Sequence, residues 1–224
     1  MALFDDEGRR QEIRYDDFLS SPLVTCKGDT TISLDDGKWV RPGGEAGQLE
    51  KYPQRGGTFL SKSSPVYFLW RNDNVKDIYR ITSVSSVPPE IESTALCNVN
   101  VNASATSDVS KDGKFFAFCF NGVTVFDKIP TSKTLRQFAT YTGESGFPAP
   151  LDVCFSVVDG EERLLVAYCN RNTVHVVDHK DGCRFVRTLE TDQCPLNQPC
   201  RLTTNHQGRV WVGCNGGKVV IFDV

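Results

Sequence analysis

Apolar residues in the second half of the chain fall in runs of four to six, broken at short intervals by turn residues. Phe116-Ala117-Phe118-Cys119 gives way to Asn121-Gly122 and then to Val123-Thr124-Val125-Phe126-Asp127. The pattern recurs as Leu165-Val166-Ala167-Tyr168-Cys169, Asn170-Arg171-Asn172 and Val174-His175-Val176-Val177-Asp178. It recurs again as Val210-Trp211-Val212-Gly213-Cys214, Asn215-Gly216-Gly217 and Val219-Val220-Ile221-Phe222-Asp223. Each unit reads as a strand, a tight polar turn and a second strand closed by Asp, because runs of this length rich in Val, Phe and Ile fit a pleated, buried surface. The Cys-to-Asp distances are 8, 9 and 9 residues. A turn signal precedes each unit: Asp112-Gly113, Asp159-Gly160 and Gln207-Gly208. No long stretch repeats with the 3.6-residue period of a helix.

The pattern extends backwards with less definition. Val66-Tyr67-Phe68-Leu69-Trp70, the turn Arg71-Asn72-Asp73-Asn74 and residues 75–81 form one unit. Residues 22–26, the turn Lys27-Gly28-Asp29 and residues 30–35 form another. The markers Cys26, Trp70, Cys119, Cys169 and Cys214 are spaced by 44, 49, 50 and 45 residues. A repeat of ~40–50 residues is the size of a four-stranded unit in a radial array. Hairpins are therefore expected at 22–35, 66–81, 116–127, 165–178 and 210–223, all within one domain spanning residues 1–224. Inner strands are expected at 106–109, 151–158 and 200–204, and outer strands at 38–40, 135–141 and 183–189.

These units resemble the repeats of β-propellers. Residues 207–217, with Gly208-Arg209-Val210-Trp211-Val212-Gly213 at their centre, are most similar to the two-component-regulator propeller repeat. Residues 172–178 are more similar to NHL repeats, and the closing Asp stands where WD40 repeats carry Trp-Asp. The Gly-His dipeptide of WD40 repeats is missing, and no Trp precedes those Asp residues. The resemblance covers residues 104–224 well and 18–103 weakly, and it implies an all-β propeller of four-stranded blades rather than an activity. Five blades account for the chain; the alternative is part of a longer six- or seven-bladed ring. Ring closure as in WD40 propellers would make residues 1–5 the outer strand of the last blade and residues 12–15 the first inner strand.

The 224 residues carry 25 Lys+Arg against 28 Asp+Glu, a net charge of −3. That balance argues against a nucleic-acid binder, which needs a basic excess or stripe. Apolar runs no longer than six residues leave nothing to span a bilayer as a helix. The first residues, Met1-Ala2-Leu3-Phe4-Asp5-Asp6-Glu7, do not read as a secretory signal, so the expected location is cytoplasmic or nuclear. Nine cysteines, an odd number, are then expected as reduced thiols, with the repeated ones acting as small core hydrophobes.

Candidate chemistry is sparse. His175, His179 and Cys183 have a zinc-like spacing, but residues four apart on a strand and turn do not converge as they do on a helix. No cofactor and no metal site is expected. None of the three His follows a nucleophile motif. Asp108 and Asp152, each followed by Val in successive inner strands, are the one enzymatic lead, with Glu12 as a third carboxylate. Some five-bladed propellers set a carboxylate pair in the channel mouth as glycoside hydrolases, and others hold calcium there as lactonases, so the resemblance allows that alternative. The turns between second and third strands offer a different surface. Four of the five carry a cation, including Arg71 with Asn72, Arg171 with Asn170, and Lys218. A long loop over residues 36–57 adds Trp39 and Arg41. Tight turns require Asn or Gly, not Arg, and Arg beside aromatics is the composition of interface hot spots. The favoured reading is a non-enzymatic scaffold that engages an acidic peptide or protein surface, with no nucleic-acid or membrane partner.

Overall fold

The computed structural model describes backbone and side chains at residues 106–119, 122–131, 134–143, 149–189, 195–205 and 208–224, and the backbone of strands before residue 106. Two short strands, β1 (Leu3–Phe4) and β2 (Arg10–Gln11), pair with each other. A first four-stranded sheet follows: β3 (Leu23–Thr25), β4 (Thr31–Ser33), β5 (Lys38–Val40) and β6 (Ala46–Gln48). The second comprises β7 (Gly57–Phe59), β8 (Tyr67–Asn72), β9 (Val75–Ser83) and β10 (Glu90–Leu96). The third comprises β11 (Thr106–Val109), β12 (Phe115–Cys119), β13 (Val123–Lys128) and β14 (Leu135–Tyr141). The fourth comprises β15 (Asp152–Val158), β16 (Glu161–Tyr168), β17 (Thr173–Asp178) and β18 (Arg184–Thr188). The fifth has three strands among the described residues, β19 (Pro199–Thr204), β20 (Val210–Cys214) and β21 (Val219–Phe222). Within each sheet the strands lie side by side in chain order and pair antiparallel. Among the described residues no helix is long and apolar enough to cross a membrane.

The turns follow from their residues. Between β15 and β16, Asp159 and Gly160 both take positive φ, +54° and +79°, the geometry a two-residue hairpin needs to match the strand twist. Between β11 and β12, Gly113 at φ +69° lets its N–H reach the Ser110 carbonyl at 2.8 Å. The Asp112 carboxylate then accepts from the Ser110 hydroxyl at 2.8 Å and the Lys114 N–H at 3.0 Å.

Alternation along the strands puts two apolar layers between sheets. Ala117, Cys119, Val123 and Val125 of the third sheet meet Val153, Phe155, Leu164, Val166 and Tyr168 of the fourth. On the other face of the fourth sheet, Cys154, Leu165, Ala167, Val174 and Val176 meet Leu202, Val210, Val212, Cys214, Val220 and Phe222 of the fifth. Inner strand β11 lies beside β15, and β15 beside β19. This is sheet stacked on sheet about a common line of inner strands. Among the described residues, the third, fourth and fifth sheets depend on one another for burial, as in other quasi-one-dimensional repeats.

Three sequence expectations change. Residues 1–5 were expected to complete the last sheet, but Leu3–Phe4 pairs with Arg10–Gln11, and β21 ends the order of the fifth sheet. The hairpin at 22–35 supplies the first and second strands of its sheet, not the second and third; the strand expected at 38–40 is present as β5 but in third place, and β6 follows it within the stretch read as a loop. The repeated cysteines do not share one core position. Cys119 is buried toward the fourth sheet, Cys214 is buried from the fifth sheet back toward the fourth, and Cys169 is half-buried in a 3-10 turn, Cys169–Arg171. A shift of one residue in a strand reverses the face a side chain presents, and the different turns shift the register between units.

The described cysteines are Cys119, Cys154, Cys169, Cys183, Cys200 and Cys214, and all are free thiols. Alkylation of denatured protein without reductant should add nine adducts, one for each of the nine cysteines. An intact mass showing seven or fewer would overturn the reduced state.

Candidate functional site

The inner strands hold the carboxylates singled out from the sequence. Asp108 is 1% exposed and Asp152 is fully buried. Oδ1 of Asp108 accepts the N–H of Val109 at 2.9 Å, and its Oδ2 reaches across to the N–H of Phe155 on β15 at 2.7 Å. Asp152 repeats this one sheet further on. Its Oδ1 accepts from Val153 at 2.9 Å and its Oδ2 from Leu202 on β19 at 2.8 Å. Each carboxylate thus ties its own inner strand to the next. Charge-assisted bonds to backbone N–H groups are the strong kind, and here they satisfy donors on strand edges that no ladder reaches. Both carboxylates are buried between inner strands. Glu12 lies outside the described residues. In the fifth sheet Arg201, exposed, pairs with Gly213 in the register and donates to the Cys200 carbonyl at 2.8 Å.

The Asp residues that close the third strands have a second role. Asp127 pairs with Arg136, Asp178 with Arg163, and Asp223 with Arg209 at 2.7 Å. Asp178 also accepts the N–H of Lys180 at 3.1 Å, which bends the chain out of β17. Burial raises the Asp178 carboxyl, but Arg163 and that N–H outweigh it and hold the group below the usual carboxylate range.

The turns between second and third strands form the other candidate site. Asn170 and Arg171 are exposed in the 3-10 turn, which Asn172 ends at φ +53°. Asn tolerates this left-handed conformation better than most residues. The Asn172 side-chain oxygen accepts the N–H of Gln198 at 2.8 Å. Gln198 in turn takes the Asn215 side-chain amide at 2.6 Å on its own side-chain oxygen, and its carbonyl accepts the Asn215 N–H at 3.1 Å. Lys218 Nζ donates to the Pro195 carbonyl at 3.4 Å. The turns of the fourth and fifth sheets are therefore joined through residues 195–198 into one ordered, exposed surface carrying Asn170, Arg171 and Lys218. Turn composition indicated this surface, but Gln198, its hub, gave no sequence signal.

The remaining site residues precede residue 106. Arg71 and Asn72 sit at the end of β8, paired with Lys76 and Val75, not in the turn expected for them. Trp39 lies in β5, paired with Ile32 and Gly47. Arg41 lies outside the described residues.

His175, His179 and Cys183 do not converge on one point. Among the described residues no group of three His, Cys, Asp or Glu is placed to hold one. His175 meets the Tyr141 hydroxyl through Nδ1 at 2.7 Å and packs on Tyr168 and Phe185, with ring centres 4.8 and 4.9 Å away. Cys183 is buried in the layer between the third and fourth sheets, and burial pushes its thiol up to about 11, far from a reactive thiolate at neutral pH.

No protein-family model matches the chain, and no curated protein matches it in sequence. Solved structures do. Virginiamycin B lyase from Staphylococcus aureus, solved with quinupristin, is similar over 99% of this chain and 76% of its own, with 10% identity and a TM-score of 0.53. A candidate 6-phosphogluconolactonase from Bacteroides uniformis is similar over 99% of this chain and 72% of its own, with 12% identity and a TM-score of 0.57. An auxiliary nutrient binding protein from Bacteroides ovatus is similar over 90% of this chain and 58% of its own, with 12% identity and a TM-score of 0.54. Antiparallel four-stranded sheets, stacked through their inner strands, and propeller-fold neighbours together define the class: the chain is a β-propeller. At these identities the likeness establishes the fold alone.

Proposed function

We propose that this propeller is a non-enzymatic binding scaffold whose partner carries an acidic surface. One observation carries the reading: both oxygens of Asp108 and of Asp152 are engaged by backbone N–H groups inside the fold. A general base or nucleophile needs a free, accessible carboxylate, and these two serve as ties between strands. The surface left for function is the rigid turn face with Asn170, Arg171 and Lys218, and the sequence candidates Arg71, Asn72 and Trp39 are assigned to the same partner on composition alone. Loops held on a stiff scaffold commonly carry recognition. Arg recognises carboxylates bidentately, which supports an acidic partner.

The test is charge reversal. Arg171→Glu with Lys218→Glu should leave the melting temperature within a few degrees, because exposed side chains contribute little. Binding to acidic peptides, or to proteins captured from a cell extract, should weaken at least 10-fold, and wild-type binding should fall as salt rises. Unchanged binding of every wild-type partner at physiological salt would sink the reading.

A second reading, an enzyme of the lyase or lactonase kind, is supported by the solved propellers that carry those names. Loss of a measured lactonase or lyase activity in folded Asp108→Asn or Asp152→Asn protein would favour it over the scaffold.

A further inference from the structure

We propose that the seam between the third and fourth sheets is an acid-sensitive joint built on His179 and Glu162. His179 follows β17 and is fully buried, and neither ring nitrogen has a hydrogen-bond partner among the described residues. Its ring lies between Phe115 of the third sheet and Phe155 of the fourth, at centroid distances of 5.0 and 4.9 Å, both edge-on. The residue is wedged into the apolar layer that joins the two sheets. A neutral imidazole leaves its hydrogen bonds unmade there at a modest cost, whereas an imidazolium must give up water for a site whose facing carboxylate stands beyond hydrogen-bond reach at 3.9 Å.

Glu162 is the charged group that faces the ring, its Oε2 standing 3.9 Å from Nε2. That carboxylate is already in use. Its Oε1 accepts the Lys111 N–H at 2.7 Å, a bond that crosses from the fourth sheet to the turn after β11. The other charges acting on the ring oppose one another. Asp178 and Asp112 favour the imidazolium, while Lys180 and Arg163 disfavour it. Asp178 is tied to Arg163, and Asp112 to Lys114. Desolvation dominates, and burial pushes the imidazole down to about 4. Below neutrality the unfolded chain takes up a proton that the closed seam refuses. The stability this group lends is full above the ordinary imidazole value of about 6.5 and is lost as the pH falls toward 4. An apolar side chain would pack between two phenyl rings without this dependence.

Urea unfolding of the full chain at pH 7 and pH 5 tests the joint. Between these values His179 alone should lower the wild-type folding equilibrium constant roughly 25-fold, and His179→Phe should remove that part of the loss. An equal loss in both proteins would overturn the proposal. A second readout needs no variant. The His179 ring protons, followed by NMR in the wild type, should show no titration between pH 7 and pH 5. The Phe155 amide, which crosses the same seam to Asp108, should lose protection from exchange at pH 5. Titration of the ring near the ordinary histidine value, or unchanged Phe155 protection, would each contradict the joint.

Discussion

Replacing Asp152 by alanine is expected to lower the stability of the chain by about 3 kcal/mol, read as a fall in melting temperature of about 6–12 °C. The carboxylate is fully buried and accepts from Val153 and Leu202, so alanine strands two buried N–H groups at once. A hydrogen bond to a charged group contributes about 1.5–3 kcal/mol, and relief of the carboxylate's desolvation offsets part of the loss of two. Asp152→Asn keeps one acceptor oxygen but turns an amide N–H toward the second donor, so it should cost about half as much. Asp108→Ala should behave alike, because it loses the same pair of bonds to Val109 and Phe155. Urea unfolding of the three variants checks the order. A change of less than about 1 kcal/mol for Asp152→Ala would mean that the tie contributes little.

Leu165→Ala should cost a comparable 2–5 kcal/mol, for a different reason. Leu165 is fully buried in β16, in the layer shared with Val210, Val212 and Val220 of the fifth sheet. Truncation removes apolar burial and leaves a cavity between two sheets whose strands are fixed by their own ladders, so the gap cannot collapse fully. Leu165→Met, which keeps the volume, should cost under about 1.5 kcal/mol. Thermal unfolding separates the two variants. If alanine and methionine are equally mild, the layer between the fourth and fifth sheets is not the close-packed core described here.

The propeller was legible in the sequence because its signals are local. Asp159-Gly160 needs only its own φ angles to make a hairpin, and Val210-Trp211-Val212 needs only alternation to make a strand. Sheet phase was less legible in the weak repeats, where residues 22–35 carry a hairpin that fits either of two places in a four-stranded sheet. The cysteine register failed for a related reason. Cys119 and Cys214 look equivalent by spacing, yet a one-residue difference puts them on opposite faces of their sheets. Asp108 and Asp152 were visible as a recurring pair, but their role depends on Phe155 and Leu202, which lie 47 and 50 residues away. No local pattern reveals a partner at that distance. His179 drew notice only through its spacing from His175 and Cys183, while its actual setting is made by Phe115 and Phe155 on two different sheets.

The inner-strand carboxylates hold successive sheets of the propeller together. Amide hydrogen exchange at Leu202, compared between the wild type and Asp152→Ala under conditions where both are folded, tests that role most directly. Leu202 should be strongly protected in the wild type and lose that protection selectively in the variant, while Phe155, tied to Asp108, keeps its own. Equal protection of Leu202 in both proteins would contradict it.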